Sequence, residues 1–141
     1  MSYLKTSVVI TTFKSEHIID RCIQSIPLDV SIIIIENSNN INFKLDIESK
    51  YSNVKCTLAG SNIGYSRANN LGLSQVKTEY ALVLNPDAKL KKNTLDIFFE
   101  EAKKNKDFWL IGPINNQGKF YEKNNHKIFE VKNLKGFAIF F

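Results

Sequence analysis

Short apolar runs alternate with amphipathic stretches along the chain. The apolar runs are rich in β-branched residues and bounded by polar clusters, which predicts strands. They cover residues 7–13, 30–35, 54–58, 80–84, 108–111 and 136–141. Four helices are predicted between the first five runs, and the first of them has apolar residues that recur at helical spacing. These helices cover residues 18–26, 43–50, 67–75 and 95–102.

Polar residues mark the ends of these predicted elements. Ser15 and Asn93 are expected to cap the first and last helices, and residues 115–118 are expected to form a turn. Strands that alternate with helices predict a single α/β domain over residues 1–141, with a mainly parallel sheet flanked by helices. In such a sheet, ligands bind beyond the carboxyl ends of the strands.

Polar clusters stand at three of these carboxyl ends: Thr11-Thr12-Phe13, Glu36-Asn37 and Asn85-Pro86-Asp87. A carboxylate held on a rigid turn, as at Asp87, suits a hard divalent cation such as Mg²⁺ or Mn²⁺. Asn85 could add a neutral oxygen ligand or bind a sugar hydroxyl. Taken alone, however, Asn85-Pro86-Asp87 is also an ordinary turn sequence.

Glu36 and one further segment could also contact a ligand. Glu36 can accept hydrogen bonds from ribose hydroxyls or from a base N–H, although a solvated loop would have the same sequence. In the Asn62–Gly72 stretch, Gly64 permits a tight turn before a helix and Arg67 could pair with a phosphate. The adjacent Asn69 and Asn70 indicate specific side-chain hydrogen bonds, or else simply an exposed polar face.

Composition narrows the functional classes. The chain has 141 residues, of which 43% are hydrophobic, and this excludes disorder. No apolar run approaches the ~20 residues of a membrane span, and we expect no signal peptide. The net charge is +5, but the lysines are scattered without interleaved aromatic residues, so nucleic-acid binding is not expected. A solvated lysine surface is the simpler interpretation.

Cysteine and histidine positions point to no redox or metal chemistry of their own. Cys22 and Cys56 fall in predicted core positions without disulfide or metal spacing, which indicates buried free thiols and a cytoplasmic location. His17 and His126 have no partner at ligand spacing, and we expect both at the surface. Glycine-rich phosphate loops and nucleophile motifs are absent from the sequence.

The order of these motifs resembles that of family 2 glycosyltransferases, most closely the rhamnosyltransferase-like branch that builds bacterial surface polysaccharides. Residues 8–13 match the first strand of the family, and residues 35–38 match its (V)DNxS segment. Residues 62–72 match NxGfaxAnNxG, and residues 84–88 match a variant of the DXD motif. Residues 111–113 and 135–138 also fall where the family has similar segments.

The resemblance implies a GT-A fold that binds a nucleoside diphosphate sugar, such as dTDP-rhamnose or a UDP-sugar. It implies transfer with inversion to a polysaccharide or lipid-linked acceptor. Asp87 would hold the metal, Glu36 would contact the base or ribose, and Arg67 and Asn70 would lie near the diphosphate or sugar. The complete set of expected donor-binding residues is Thr11, Thr12, Phe13, Glu36, Asn37, Asn62, Gly64, Arg67, Asn70 and Asn85.

Two departures from the family pattern modify these expectations. Glu36 stands where the family usually has Asp, and its longer side chain would shift the ribose contact. The segments that supply the acceptor site and catalytic base in the family would lie beyond Phe141. We therefore expect a gene fragment or shortened chain that binds a donor but transfers poorly, with its catalytic base outside this sequence.

Other functions remain open at this point. A nucleotidyltransferase-like enzyme could share the scaffold, although such enzymes usually have a glycine-rich loop after the first strand, where this chain has Thr12-Phe13-Lys14-Ser15. A non-catalytic binding or assembly module could dimerise through the apolar edge at residues 137–141. Peripheral association with the inner face of a membrane is also compatible with the basic composition.

Overall fold

The computed structural model describes residues 2–113, 136 and 138–141. A short 3-10 helix at Ser2–Lys5 precedes the first strand. The strands are β1 (Thr6–Thr12), β2 (Ile32–Glu36), β3 (Val54–Leu58), β4 (Tyr80–Leu84) and β5 (Ala138–Phe140). The helices are α1 (Ile19–Ile23), α2 (Ile41–Lys50), α3 (Tyr65–Leu73) and α4 (Thr94–Lys104).

The five strands form one sheet in the order β3-β2-β1-β4-β5. The first four are parallel to their neighbours, and β5 runs antiparallel to β4. The predicted α/β fold with a mainly parallel sheet is therefore confirmed. Its strand order reverses at β1, which has β2 on one side and β4 on the other. In such sheets the reversal creates a crevice beyond the carboxyl ends of the central strands.

Helices cover both faces of the sheet, so its central strands are buried on both sides. Alternate residues of β1, β2 and β4 belong to different apolar clusters. On one face, Val8, Ile34 and Leu82 pack with residues of α1, α2 and α4. On the other face, Val9 and Ile35 pack with residues of α3.

Gly72 lets α3 approach the sheet closely. A methyl group at this position would overlap Val9 Cγ1 and would lie 3.2 Å from Ile35 Cγ1. Both of those side chains are fully buried and cannot move away easily. The close packing of α3 against β1 and β2 therefore requires glycine at this position.

An aromatic cluster attaches β5 and α4 to the amino end of β4. The Phe140 ring stacks on Tyr80 and Phe98, with centroid separations of 5.3 and 5.2 Å. Phe108 stacks on Phe140 from the segment after α4, at 6.4 Å. Phe140 is fully buried, and its backbone also exchanges two hydrogen bonds with Ile111. The strand edge considered for dimerisation is thus covered at Phe140 by Ile111.

Several sequence predictions need correction. Residues 108–111 form no strand, because only Ile111 bridges to Phe140 and Trp109 is 89% exposed. Ser15 does not cap α1, which begins at Ile19, because the Ser15 hydroxyl bonds the backbone of Phe13 instead. Asn93 precedes α4 in a left-handed conformation and makes no side-chain cap.

Some predictions fall outside the described residues. These are the turn at residues 115–118, His126, the lysines at 119, 123, 127, 132 and 135, and the contribution of Phe137 to the last strand. Within the part of the chain that the structure does describe, no helix is long and apolar enough to cross a membrane.

Candidate functional site

The carboxyl ends of β1 and β2 form the centre of the candidate site. Thr12 and Glu36 are register partners, and the next backbone N–H, that of Asn37, donates to Thr12 O at 2.8 Å. Thr12 is buried, with its hydroxyl 3.5 Å from Ile35 O. The two loops therefore leave the sheet side by side, as the sequence predicts for neighbouring parallel strands.

Asn37 joins the loop after β2 to the loop before α3. Its Oδ1 accepts from the Ile63 backbone N–H at 2.9 Å, and its Nδ2 donates to Asn62 Oδ1 at 3.0 Å. Asn62 Oδ1 also accepts from the Gly64 N–H at 3.0 Å. Gly64 has φ +82°, a left-handed conformation that glycine adopts without strain. These bonds set the direction in which α3 begins.

Thr11 and Asn69 link β1 to the middle of α3. Thr11 Oγ1 donates to Asn69 Oδ1 at 2.7 Å, and both side chains are buried. Of the two adjacent asparagines, Asn69 thus makes the specific hydrogen bond that the sequence indicated. Asn70 is exposed on the same helix. The Thr11 hydroxyl donates its one proton to Asn69. Contact of Thr11 with a nucleotide stays a prediction.

Glu36 is only 1% exposed. Its Oε1 accepts from the Ser38 backbone N–H at 3.1 Å and from Ser38 Oγ at 2.5 Å, while its Oε2 accepts from the Asn40 backbone N–H at 2.6 Å. The extra methylene relative to Asp lets one carboxylate hold both ends of this loop. Because Glu36 is buried, the predicted base or ribose contact would require this loop to move before a ligand could reach the carboxylate.

The Asn85-Pro86-Asp87 segment forms a turn directly after β4. The Ala88 N–H donates to Asn85 O at 3.1 Å, and the buried Cys22 thiol lies 3.5 Å from the same carbonyl. Burial, and then the Asp87 carboxylate, raise the pKa of Cys22 to about 12. The Asp87 side chain itself is exposed. The segment is therefore a turn that presents a carboxylate at the carboxyl edge.

Tyr65 connects this turn to α3 and to the segment before β5. Its hydroxyl lies 2.7 Å from Asn85 Oδ1 and 3.0 Å from Gly136 O. The sequence analysis assigned no role to Tyr65. One of its partners, Gly136, lies far along the chain, and no local sequence pattern indicates such a contact. Its position as the first residue of α3, next to the site loops, was the only available signal.

The exposed members of the predicted set surround this edge. Phe13 is 47% exposed, and the Lys14 ammonium lies 5.6 Å from its ring centroid. Lys14 has φ +52°, a conformation uncommon for a lysine. Arg67 is exposed in the first turn of α3, which has no side-chain cap at its N-terminus. Together these groups give the edge an aromatic surface and positive charge.

No preformed metal cage exists among the described residues, since no group of three His, Cys, Asp or Glu side chains could hold an ion. Asp87 and Asn85 supply one carboxylate and one amide oxygen. Mg²⁺ and Mn²⁺ sites that are completed by substrate phosphates need no larger donor set. The residues present therefore fit a cation that arrives with a diphosphate.

A separate cleft of about 290 Å³ lies between α1 and α2. It contains none of the predicted site residues, and Glu16, Asp20 and Asp46 line it. Three carboxylates would repel a diphosphate. The carboxyl edge of the sheet is therefore the better candidate site for an anionic ligand.

Comparison with solved structures identifies the fold. The chain matches S. aureus TarS (residues 1–349) with a TM-score of 0.59 and 24% identity, over 70% of this chain and 33% of that one. It matches the Pyrobaculum calidifontis mannosyltransferase PcManGT, in complex with GDP-Man and Mn²⁺, with a TM-score of 0.60 and 14% identity, over 70% and 32% of the two chains. The expected GT-A glycosyltransferase fold is confirmed.

The family follows from sequence comparison. The model of glycosyl transferase family 2 matches residues 7–140, and the chain belongs to this family. The low-salt glycan biosynthesis hexosyltransferase Agl10 of Haloferax volcanii is 29% identical over 93 residues, which are 63% of this chain and 30% of the relative. The chain thus spans about a third of the length of the relatives it matches.

Proposed function

We propose that the carboxyl edge of β1, β2 and β4 binds the nucleoside diphosphate sugar donor of a glycosyltransferase. The observation that carries this proposal is the convergence of three polar loops, those that follow β2, β3 and β4, beside the end of β1. Asn37 joins two of them, and Tyr65 brings in the Asn85-Pro86-Asp87 turn. A donor could reach all three loops from this one edge.

The diphosphate would lie between α3 and Asp87. The first backbone N–H groups of α3 lack a side-chain cap, and uncapped helix N-termini attract anions. Arg67 adds a positive charge in the first turn of the same helix, and exposed Asn70 could reach the attached sugar. A divalent cation at Asp87, with Asn85 beside it, would neutralise charge on the leaving nucleoside diphosphate.

The nucleoside would lie over the ends of β1 and β2. The exposed Phe13 ring offers a stacking surface for a base, next to the Lys14 ammonium. We propose that the buried Thr11, Thr12, Glu36 and Asn37, with the exposed Asn62, shape the pocket chiefly through their hydrogen bonds to neighbouring groups. In the present conformation, Ser38 and Asn40 are the groups that Glu36 positions.

The similar proteins guide the choice of donor. TarS has been solved with UDP and with UDP-GlcNAc, and PcManGT with GDP-Man and Mn²⁺. For the whole protein we propose transfer of a hexosyl or rhamnosyl group, from a UDP-sugar or dTDP-rhamnose, to a polysaccharide or glycolipid acceptor with inversion. The rhamnosyltransferase-like branch stays a prediction within this proposal, as do a cytoplasmic location and peripheral membrane association.

Calorimetric titration tests donor binding. UDP, dTDP and GDP are titrated separately into the chain with Mn²⁺ and without it. We expect at least one nucleotide to bind more tightly with Mn²⁺, and Asp87→Ala to remove most of that gain. If no nucleotide binds, or if Mn²⁺ enhancement survives in Asp87→Ala, the proposed site is wrong.

Asp107→Ala is the matched control. Asp107 is also an exposed aspartate, but it precedes Phe108, which stacks on Tyr80 at the amino end of β4. It therefore lies at the opposite edge of the sheet from Asp87. We expect its removal to leave both the affinity and the Mn²⁺ dependence unchanged.

A further inference from the structure

The Tyr65 hydroxyl contacts two groups that compete for its proton. It lies 2.7 Å from the Asn85 side-chain atom that the structure assigns as Oδ1, and 3.0 Å from Gly136 O. A phenol carries one proton and can also accept hydrogen bonds, whereas a backbone carbonyl can only accept. Both contacts are attractive only if the hydroxyl donates to Gly136 O and accepts from Asn85.

This proton count determines how the Asn85 carboxamide is turned. The oxygen and nitrogen of a carboxamide fill nearly equal volumes, so the surrounding hydrogen bonds decide which atom faces which way. If Tyr65 accepts, the Asn85 NH₂ group must take the place that Oδ1 holds in the structure, facing Tyr65. The Asn85 oxygen then points away from the hydroxyl. With the opposite turn, the hydroxyl would donate to Asn85 and leave the tyrosine oxygen against Gly136 O without a proton between them.

We propose that Tyr65 is a positioning residue that makes Asn85 present its oxygen, rather than its NH₂ group, to the cation and donor. The inference rests on the proposed function. An amide oxygen can bind a cation or accept from a sugar hydroxyl, whereas an NH₂ group in the same place would repel the cation. Tyr65 is suited to this task because it begins α3, whose direction is set by the Asn62–Gly64 turn.

The effect of removing the Tyr65 hydroxyl should then depend on the chemistry of the side chain at position 85. A carboxylate has two equivalent oxygens and needs no orienting partner. Replacing Asn85 with Asp should therefore make the cation site insensitive to the loss of the Tyr65 hydroxyl. A direct contact between Tyr65 and the nucleotide would instead be lost equally in both backgrounds.

Calorimetric titration of UDP, dTDP and GDP, with and without Mn²⁺, tests this in four forms of the chain. They are the wild type, Tyr65→Phe, Asn85→Asp and the double variant. The quantity compared is the ratio of the metal-free to the Mn²⁺-bound dissociation constant, for a nucleotide that the wild type binds. We expect Tyr65→Phe to lower this ratio about three- to tenfold, the typical effect of one hydrogen bond. In the Asn85→Asp background, we expect the same change to alter the ratio less than about twofold.

Tyr51→Phe is the control for loss of a tyrosine hydroxyl. Tyr51 donates to Asp20 on the α1–α2 side of the sheet, away from the donor edge, and its removal should leave the ratio unchanged. The inference is overturned if Tyr65→Phe leaves the ratio unchanged, or if it lowers the ratio equally in both backgrounds. If the wild type shows no Mn²⁺-enhanced binding at all, the proposed donor site fails and this inference fails with it. Retention of donor binding with an unchanged ratio in Tyr65→Phe overturns the inference alone.

Discussion

Thr11 Oγ1 donates to Asn69 Oδ1 across 2.7 Å, and this bond ties the carboxyl end of β1 to the middle of α3. Both residues are buried, so water cannot replace either hydrogen-bond partner unless the surrounding structure rearranges. The loop that carries Phe13 follows directly from one end of this bond. The helix that carries Arg67 contains the other end. The bond therefore fixes the relative position of two parts of the proposed donor site.

Removing one partner of this bond should destabilise the fold. We expect Asn69→Ala to lower the free energy of unfolding by about 1–3 kcal/mol, because it leaves the Thr11 hydroxyl buried without an acceptor. Urea denaturation measures the change. Asn70→Ala is the matched control, since Asn70 is exposed on the same helix, and its effect should stay within about 0.5 kcal/mol. Equal effects of the two substitutions would contradict a structural role for the bond.

The close approach of α3 to the sheet should make Gly72 intolerant of a side chain. Gly72→Ala gains helix propensity of about 1 kcal/mol, but its methyl group overlaps Val9. We expect a net loss of about 1–3 kcal/mol in unfolding free energy, as is usual for overpacking. Thermal and urea unfolding can both measure it. Ser66→Ala, at an exposed position of α3, should be neutral or stabilising; a stable Gly72→Ala protein would show that the helix can shift outward.

Glu36 should slow hydrogen exchange at the backbone amides of the loop after β2. Glu36→Gln keeps the side-chain length, but its NH₂ group cannot accept the bond that one carboxylate oxygen now accepts. We expect hydrogen exchange at the Ser38 or Asn40 amide to accelerate about 10- to 100-fold, which corresponds to the loss of a charge-assisted hydrogen bond. NMR exchange measures this, with the Tyr51 amide, bonded to Ile47 O, as an internal reference. Unchanged exchange at both loop amides would show that the carboxylate does not hold the loop.

Both thiols should be unreactive in the folded protein. Burial raises the pKa of Cys22 to about 12, with a further contribution from Asp87, and burial raises the pKa of Cys56 to about 12 as well. At pH 8, below both values, the thiols stay protonated and enclosed. We expect Ellman's reagent to label no thiol in native buffer and two per chain in guanidinium chloride. Rapid labelling of one thiol without denaturant would contradict this packing.

Sequence pattern predicted most strands well because their apolar runs are short and bounded by polar residues. The predicted ranges 54–58 and 80–84 coincide with β3 and β4. The same pattern wrongly predicted a strand at residues 108–111, because an apolar run does not reveal whether a neighbouring strand is available for pairing. Only Ile111 finds one, at Phe140, while Trp109 points into solvent.

For the candidate site, the placement of its residues was predictable from the sequence, but some of their contacts were not. Parallel strands place their carboxyl ends at one edge, and this grouped Thr12, Glu36 and Asn85 correctly. The burial of Glu36 and the contact of Tyr65 with Gly136 were not predictable, because they depend on hydrogen-bond partners in other loops. A carboxylate at a strand end therefore predicts which loops lie at one edge of the sheet better than it predicts the hydrogen bonds that the carboxylate makes there.

The strand order also bears on how the molecule folds. The β3-β2-β1 half, with α1 and α2, is built from consecutive segments, whereas β5 must pair with β4 across a long stretch of chain. Closing longer loops slows folding, so we expect the first half to order before β5 docks. Pulse-labelled hydrogen exchange of a refolding chain would show amide protection in β2 preceding that in β5. The Asn37–Asn62 junction would then form early, and the Tyr65–Asn85–Gly136 contacts would complete the edge last.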